Sequence, residues 1–119
     1  WKLETPTQTI ASHHEAIHGG GDQTACVTFQ SAQAAYILKR LSTTKDALTG
    51  AMLIDSTVYL QTCDFGDGAG HNTNGAPSII ATKMPGFGTP GTKGGGSLFD
   101  SLRKVATGLG FADVAAKYT

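Results

Sequence analysis

The chain contains two cysteines, Cys26 and Cys63, and this pair is the sequence feature that most constrains the fold. A bond between the two sulfur atoms would close a loop over residues 26–63 and stabilise the folded state by about 3–4 kcal/mol in the chain-entropy treatment. Strand-forming residues flank both positions, and neither cysteine has the close second ligand that a zinc site needs. The even number and the absence of a Cys-x-x-Cys motif favour a structural disulfide over two separate buried thiols. The sequence therefore predicts a Cys26–Cys63 bridge and an extracellular location.

The composition limits the chain to one domain and excludes several classes of partner. Its 119 residues suffice for a single core. Nine basic residues balance nine acidic ones, so the chain lacks the excess of Lys and Arg that binding to nucleic acid or to an anionic membrane surface requires. No apolar run reaches the roughly 18 residues of a membrane span, and the first residues do not have the pattern of a signal peptide. Charged residues make up only 15%, a low share that favours a secreted protein.

The pattern of residues divides the chain into an N-terminal arm, residues 1–23, and one domain, residues 24–119. The arm carries three glycines, Gly19–Gly21, near its end. Its residues predict a flexible segment with one short helical turn at Ala11–Ile17. Alternating β-branched residues predict a first strand over 24–30. Ser31 is then expected to cap a helix that ends near Thr43, because its apolar positions follow helical spacing.

The second half of the domain predicts two further strands and a second helix. The strands are expected at 51–63, with a tight turn or a bulge at Asp55-Ser56 left open, and at 78–84. A loop of Gly, Asp and Asn at 64–75 separates them, and a long exposed connection over 85–96 follows. Ser97 and Asp100 have the spacing of a capping box, which predicts a helix that Gly108 and Gly110 stop. Residues 111–118 fit either a last strand or a helical tail.

The resulting order is β-α-β-β-α, with a final strand as the alternative ending. Each helix has one apolar stripe that must cover a face of the sheet. The predicted fold class is therefore α+β: a two-layer α/β sandwich in which a small antiparallel sheet carries two helices on one face.

Histidines and aspartates supply the candidates for chemistry. His14 and His18 would share a helix face, as metal-binding pairs do, whereas His71 lies in a distant loop. The helical stretch is short, so a solvated arm is the favoured interpretation. Asp64 and Asp67 resemble the start of a calcium loop, but the bidentate Glu of such loops is missing and a Gly-rich turn fits better. We accordingly predict no catalytic residue, no metal and no cofactor.

Two segments, Leu60–Gly66 and Ser97–Val105, resemble the core of fungal secreted effectors of the Ecp2 type. The resemblance consists of a Thr-Cys-x-Phe-Gly strand end, a late Asp-Ser-Leu-Arg-Lys helix and a Gly-rich ending, and it extends loosely over residues 24–118. It implies a bridge equivalent to Cys26–Cys63, although such proteins usually carry more than one. These effectors are compared in turn with killer toxins of the KP6 type, small α/β sandwiches with two helices on an antiparallel sheet. The family offers no shared catalytic residues.

The predicted function is that of a small secreted effector or killer-toxin-like protein, not an enzyme. It would act by contact with an unidentified protein or cell-surface component of a target cell or host. One alternative is a small metal-dependent hydrolase, and a structural subunit of a surface assembly is the other. The hydrolase would use His13, His14, His18 and His71 with Asp64 or Asp67.

Overall fold

The computed structural model describes residues 3–5, 8–10, 13–89, 91 and 96–118, with side chains from residue 14 onward. Within these residues the chain has a small α+β fold with mixed helices and two-stranded antiparallel sheets. The strands are β1 (Leu3–Thr5), β2 (Gln8–Ile10), β3 (Tyr59–Thr62) and β4 (Ser78–Ala81). The helices are α1 (His13–His18), α2 (Thr24–Thr43), α3 (Leu98–Gly108) and α4 (Ala112–Ala115), with a 3-10 turn at Leu53–Asp55 between α2 and β3.

The prediction of a first strand over residues 24–30 is wrong, because these residues belong to helix α2. Residues 24–30 form the first turns of this 20-residue helix, and Ser31, the predicted cap, lies inside it. The Asp22 carboxylate accepts a hydrogen bond from the Thr24 backbone N–H at 2.8 Å, which satisfies one of the free donors at the start of the helix. The β-branched residues at 24–28 are thus followed by strong helix formers and preceded by a capping carboxylate, and together these outweigh local strand propensity. The predicted helix at 31–43 is confirmed as the remainder of α2.

The β3–β4 hairpin is shorter than the two strands that were predicted. Leu60 pairs with Ile80 at the centre of its antiparallel register. Residues 53–55 turn instead of extending, because the Asp55 carboxylate accepts a hydrogen bond from the Met52 N–H at 3.0 Å and the Asp55 N–H donates to the Met52 carbonyl at 2.9 Å. The N-terminal arm contains the β1–β2 hairpin, which was not predicted, and α1, which overlaps the predicted helical turn.

The second predicted helix is confirmed as α3. The Ser97 hydroxyl accepts a hydrogen bond from the Asp100 N–H at 3.2 Å, and the Asp100 carboxylate accepts one from the Ser97 N–H at 2.8 Å. This reciprocal pair is the predicted capping box. Residues 112–115 form a short helix, so the helical ending is correct and the strand ending is wrong. Of the connection over 85–96, residues 90 and 92–95 lie outside the described residues.

Few side chains are buried. Helix α3 packs on β4 and on α4, and α2 packs on the 3-10 turn. The described apolar residues with little exposure are small except for one isoleucine: Cys26, Ala34, Ile54, Ala76, Ala106 and Ala115. The accessible surface of 8207 Å² exceeds the roughly 6,100 Å² expected of a compact monomer of this mass. A sandwich with both helices on one sheet face stays a prediction.

None of the helices in the described part of the chain has the length and apolar character needed to cross a bilayer.

Candidate functional site

A cleft of about 890 Å³ lies between the first half of α2 and the segment 61–69 that leads out of β3. Residues 77–79, at the start of β4, complete its wall. One side is formed by Ile17 of α1 and by Gln23, Val27, Gln30 and Ser31. The last four positions share a helix face, because residues three, four and seven apart lie on the same side of a helix. That spacing is the sequence signal for the α2 side of the cleft.

The floor of the cleft is apolar although it faces solvent. Val27 is 52% exposed, Phe65 36% and Ile79 46%. Amides and hydroxyls from Gln61, Thr62 and Ser78 surround this floor. The combination of an apolar floor and a polar rim is typical of surfaces that hold a peptide or a small molecule.

The loop over residues 64–75 is turn-rich, as predicted, and is fixed by its own hydrogen bonds. The Gly66 N–H donates to the Asn72 carbonyl at 2.8 Å, and the Asn72 N–H donates to the Asp67 carbonyl at 3.0 Å. The Asp67 carboxylate accepts a bond from the Ala69 N–H at 3.1 Å. A side chain at Gly66 would overlap the Asn74 carbonyl oxygen, so only glycine fits this closure. The loop therefore presents Asp64 and Phe65 to the cleft on a defined backbone.

The loop folds back onto α1 and brings three histidines together. The ring centroids of His14 and His18 are 4.6 Å apart, and that of His71 lies 5.2 Å from His18. Phe65 stacks on His71 at 5.0 Å with an interplanar angle of 20°. The expectation that His71 is distant from the other histidines is therefore wrong. Because Phe65 also lines the cleft, this histidine cluster borders it directly.

The histidine cluster is a packing contact in this geometry. The rings of His14 and His18, and those of His18 and His71, meet edge to face at 64° and 76°. Within the described residues, no group of three or more His, Cys, Asp or Glu side chains is placed to hold a metal ion. The side chain of His13, which belongs to the hydrolase alternative, lies outside the described residues.

The predicted Cys26–Cys63 bridge is not formed, and both cysteines are free thiols. Cys26 is 4% exposed on α2, while Cys63 follows β3 as an exposed residue lining the cleft. The Cys63 thiol donates to the Phe65 carbonyl, with 2.8 Å between sulfur and oxygen. The prediction assumed a strand around Cys26. Because that segment is helical, one thiol is packed in the interior and the other is held within its own loop.

Among the described side chains, three carboxyl groups have clearly lowered pKa values, and these three do not line the cleft. Hydrogen bonds from the side chain and backbone of Thr24 lower the pKa of Asp22. Backbone hydrogen bonds from Thr49 and Leu48 do the same for Asp46, and the Ser97 N–H does so for Asp100. These groups stabilise turns and helix starts, so the shifts mark structural hydrogen bonds and do not identify an acid or base in the cleft.

A second, smaller cleft of about 550 Å³ lies where the end of α2 meets β4 and residues 87–89 and 91. Leu38, Ile54 and Ile80 form its apolar part, and Lys39 and Lys104 are the charged residues that line it. The larger cleft has the opposite character, since its lining charges are Asp64 and Asp67.

Comparison of the chain with protein-family models, with curated proteins and with solved structures gives no significant match. The resemblance to Ecp2-type effectors and KP6-type toxins therefore stays a prediction that rests on the motifs themselves.

Proposed function

We propose that this chain acts by binding a segment of another protein in the cleft between α2 and residues 61–69, without catalysing a reaction. The observation that carries the proposal is the apolar floor formed by Val27, Phe65 and Ile79, which is exposed to solvent. Removing such a surface from water contributes about 25 cal/mol per Å² before the costs of association are subtracted. An apolar side chain of the partner would supply that contact.

The charges and amides of the cleft define the chemistry of the partner. Asp64 and Asp67 line the cleft, and no Lys or Arg is among its lining residues. A segment with a Lys or Arg beside its apolar anchor would therefore be favoured electrostatically. The side-chain amides of Gln23, Gln30 and Gln61 can donate to and accept from the backbone of an extended peptide.

The more specific form of the proposal is a secreted effector or killer-toxin-like protein that acts at a target cell or in a host. The low charge of the chain and the motifs at Leu60–Gly66 and Ser97–Val105 support it. Since both cysteines are free thiols, the extracellular location now rests on composition and motifs alone. The two-layer sandwich belongs to this form of the proposal, because the killer-toxin resemblance implies it.

A peptide array with independently varied apolar and basic positions tests the binding function. The full chain is compared with the variant Asp64→Asn/Asp67→Asn, and with Asp113→Asn as a control for loss of an exposed carboxylate in α4. We expect the chain to select peptides that join an apolar residue to Lys or Arg, and the double variant to bind them about tenfold more weakly with less salt dependence. The control should bind as the unmodified chain does. If the bound peptides show no preference for Lys or Arg, the proposal is contradicted.

Two further measurements separate contact from catalysis and test the effector role. The chain is incubated with chromogenic ester, glycoside and peptide substrates, and product formation lost in the Asp64→Asn/Asp67→Asn variant would refute a non-enzymatic function. Fluorescently labelled chain is also added to intact fungal and plant cells. Saturable binding with an effect proportional to the amount bound supports a contact-acting effector, whereas no saturable binding to either cell type contradicts it.

A further inference from the structure

Helix α2 has apolar residues on two opposite faces. One face lines the larger cleft through Val27, Gln30 and Ser31 and carries the buried Ala34. The opposite face carries a second set of apolar residues spaced by four, three and four positions. At about 100° per residue this set spans roughly 60° of the helix surface. We call it the α2 seam; it consists of Ala25, Phe29, Ala32 and Tyr36.

The α2 seam alternates small and aromatic side chains in the spacing of a coiled coil. Ala32 is exposed, Tyr36 is 62% exposed, and Ala25 and Phe29 are half-buried. Spacings of four and three are those of the a and d positions of a heptad, with the aromatic residues at a and the alanines at d. A helix face of this kind is usually covered by another helix.

We propose that two copies of this chain pair through the α2 seam, with their helices antiparallel about a two-fold axis. The residue positions are self-complementary in this arrangement. The pair 25 and 36 and the pair 29 and 32 share one midpoint, between Gln30 and Ser31. Each alanine of one copy therefore lies opposite an aromatic residue of the other, as an isologous contact requires. Large side chains facing small ones fill such an interface without a void or a clash.

The charges at the two ends of the α2 seam fit the same axis. Asp22, two residues before the start of α2, and Lys39, near its end, are equally far along the chain from that midpoint. Antiparallel pairing therefore brings the acidic end of one helix near the basic end of the other. Both side chains are exposed in the single chain. Parallel pairing would instead place Asp22 against Asp22 and Phe29 against Phe29, which is unfavourable in charge and in volume.

Pairing would cover the exposed part of the α2 seam, where Ala32 is exposed and Tyr36 is 62% exposed. The four residues of the α2 seam line neither cleft, so their pairing leaves the larger cleft open, whereas Lys39 also lines the smaller cleft. The inference is therefore independent of the proposed peptide binding, and either can fail alone.

Sedimentation velocity on the full chain from about 1 to about 100 µM tests the inference, since this range covers the affinities of small interfaces. We expect the mass to rise from monomer to dimer with concentration. Ala32→Phe places two phenylalanines opposite each other and should raise the dissociation constant at least about tenfold. Ala35→Phe makes the same change on an exposed position of α2 outside the α2 seam, and should leave it unchanged. The exchange Phe29→Ala/Ala32→Phe again places a large side chain of one copy opposite a small side chain of the other, and it should restore the dimer.

A charge exchange tests the orientation without touching a half-buried residue. Asp22→Lys alone and Lys39→Asp alone should each weaken the dimer, and the two together should recover it. Circular dichroism confirms that each variant keeps the helical content of the unmodified chain. A monomer at every concentration would overturn the inference, as would a dimer that tolerates Ala32→Phe or two single charge variants that the exchange does not rescue.

Discussion

Gly68 and Ile17 lie so close together that a β-carbon on the glycine would be 2.7 Å from Cγ2 of the isoleucine. This contact joins the loop over residues 64–75 to α1, although α2 and β3 lie between them in the chain. The same loop places His71 against His18 and Phe65 beside the larger cleft. The close approach at Gly68 is therefore what allows the loop to form one side of that cleft.

Replacing Gly68 by alanine should destabilise the protein by about 1–3 kcal/mol, because the added methyl group forces Ile17 out of its place. Urea denaturation measures the change. Gly91→Ala is the matched control, since no atom of the described residues lies within 4 Å of the corresponding position there. In the double variant Ile17→Ala/Gly68→Ala the two effects should be less than additive. Equal stability of the Gly68 and Gly91 variants would show that the contact does not form.

Replacing Gly108, at the end of α3, by alanine should change the stability of the protein in opposite directions with and without the Phe87 ring. A β-carbon on Gly108 would lie 2.6 to 2.8 Å from three atoms of the Phe87 ring. Alanine at a helical position gains about 1 kcal/mol over glycine, but overpacking costs about 1–3 kcal/mol, so Gly108→Ala should destabilise the native chain. In the background of Phe87→Ala the same substitution should become neutral or stabilising. Thermal unfolding of the unmodified chain, the two single variants and the double variant checks this, and destabilisation in both backgrounds would contradict it.

The capping box at Ser97 and Asp100 predicts a dependence of stability on pH. Hydrogen bonds from the Ser97 N–H and then from its hydroxyl hold the pKa of Asp100 below its ordinary value of 3.8. A carboxyl group with a lowered pKa stabilises the folded state fully above its unfolded-state pKa, and this contribution is lost as the pH falls through the folded-state pKa. Asp100→Asn should therefore lower the urea midpoint at neutral pH, and this deficit should shrink as the pH falls below 3.8 and through the lower folded-state pKa. Asp113→Asn serves as the control, and an Asp100→Asn deficit that is independent of pH would refute the argument.

The elements that could be predicted are those encoded by neighbouring residues. The start of α3 follows from two side chains three positions apart, and the β3–β4 hairpin from short β-branched runs on either side of a polar loop. The first half of α2 could not be predicted in the same way. Val27, Thr28 and Phe29 favour a strand locally. Continuous helical bonding up to Thr43, together with the hydrogen bond that the Asp22 carboxylate accepts from the Thr24 N–H, decides for helix.

The larger cleft depended on contacts that local patterns do not contain. The place of His71 beside His18 follows from the fit of Gly68 against Ile17, and glycine in a loop signals a turn without saying what it packs against. The seam on α2 was missed for a related reason. Once residues 24–30 were predicted as a strand, Ala25 and Phe29 could not be placed on the same helix face as Ala32 and Tyr36.

The two cysteines should differ sharply in their rate of reaction with a thiol reagent, and both should react once the chain is unfolded. Cys63 is exposed and Cys26 is buried, so a thiol reagent should modify one residue of the native chain rapidly and the other at least about 100-fold more slowly, after local opening of α2. Unfolding without a reductant should then make both thiols reactive. Cys63→Ser removes the fast phase and leaves the slow one, which assigns each phase to its residue. An unfolded, unreduced chain with no reactive thiol would mean that the sulfurs are joined after all. In that case α2 would have to open near Cys26, and the extracellular location would regain its covalent support.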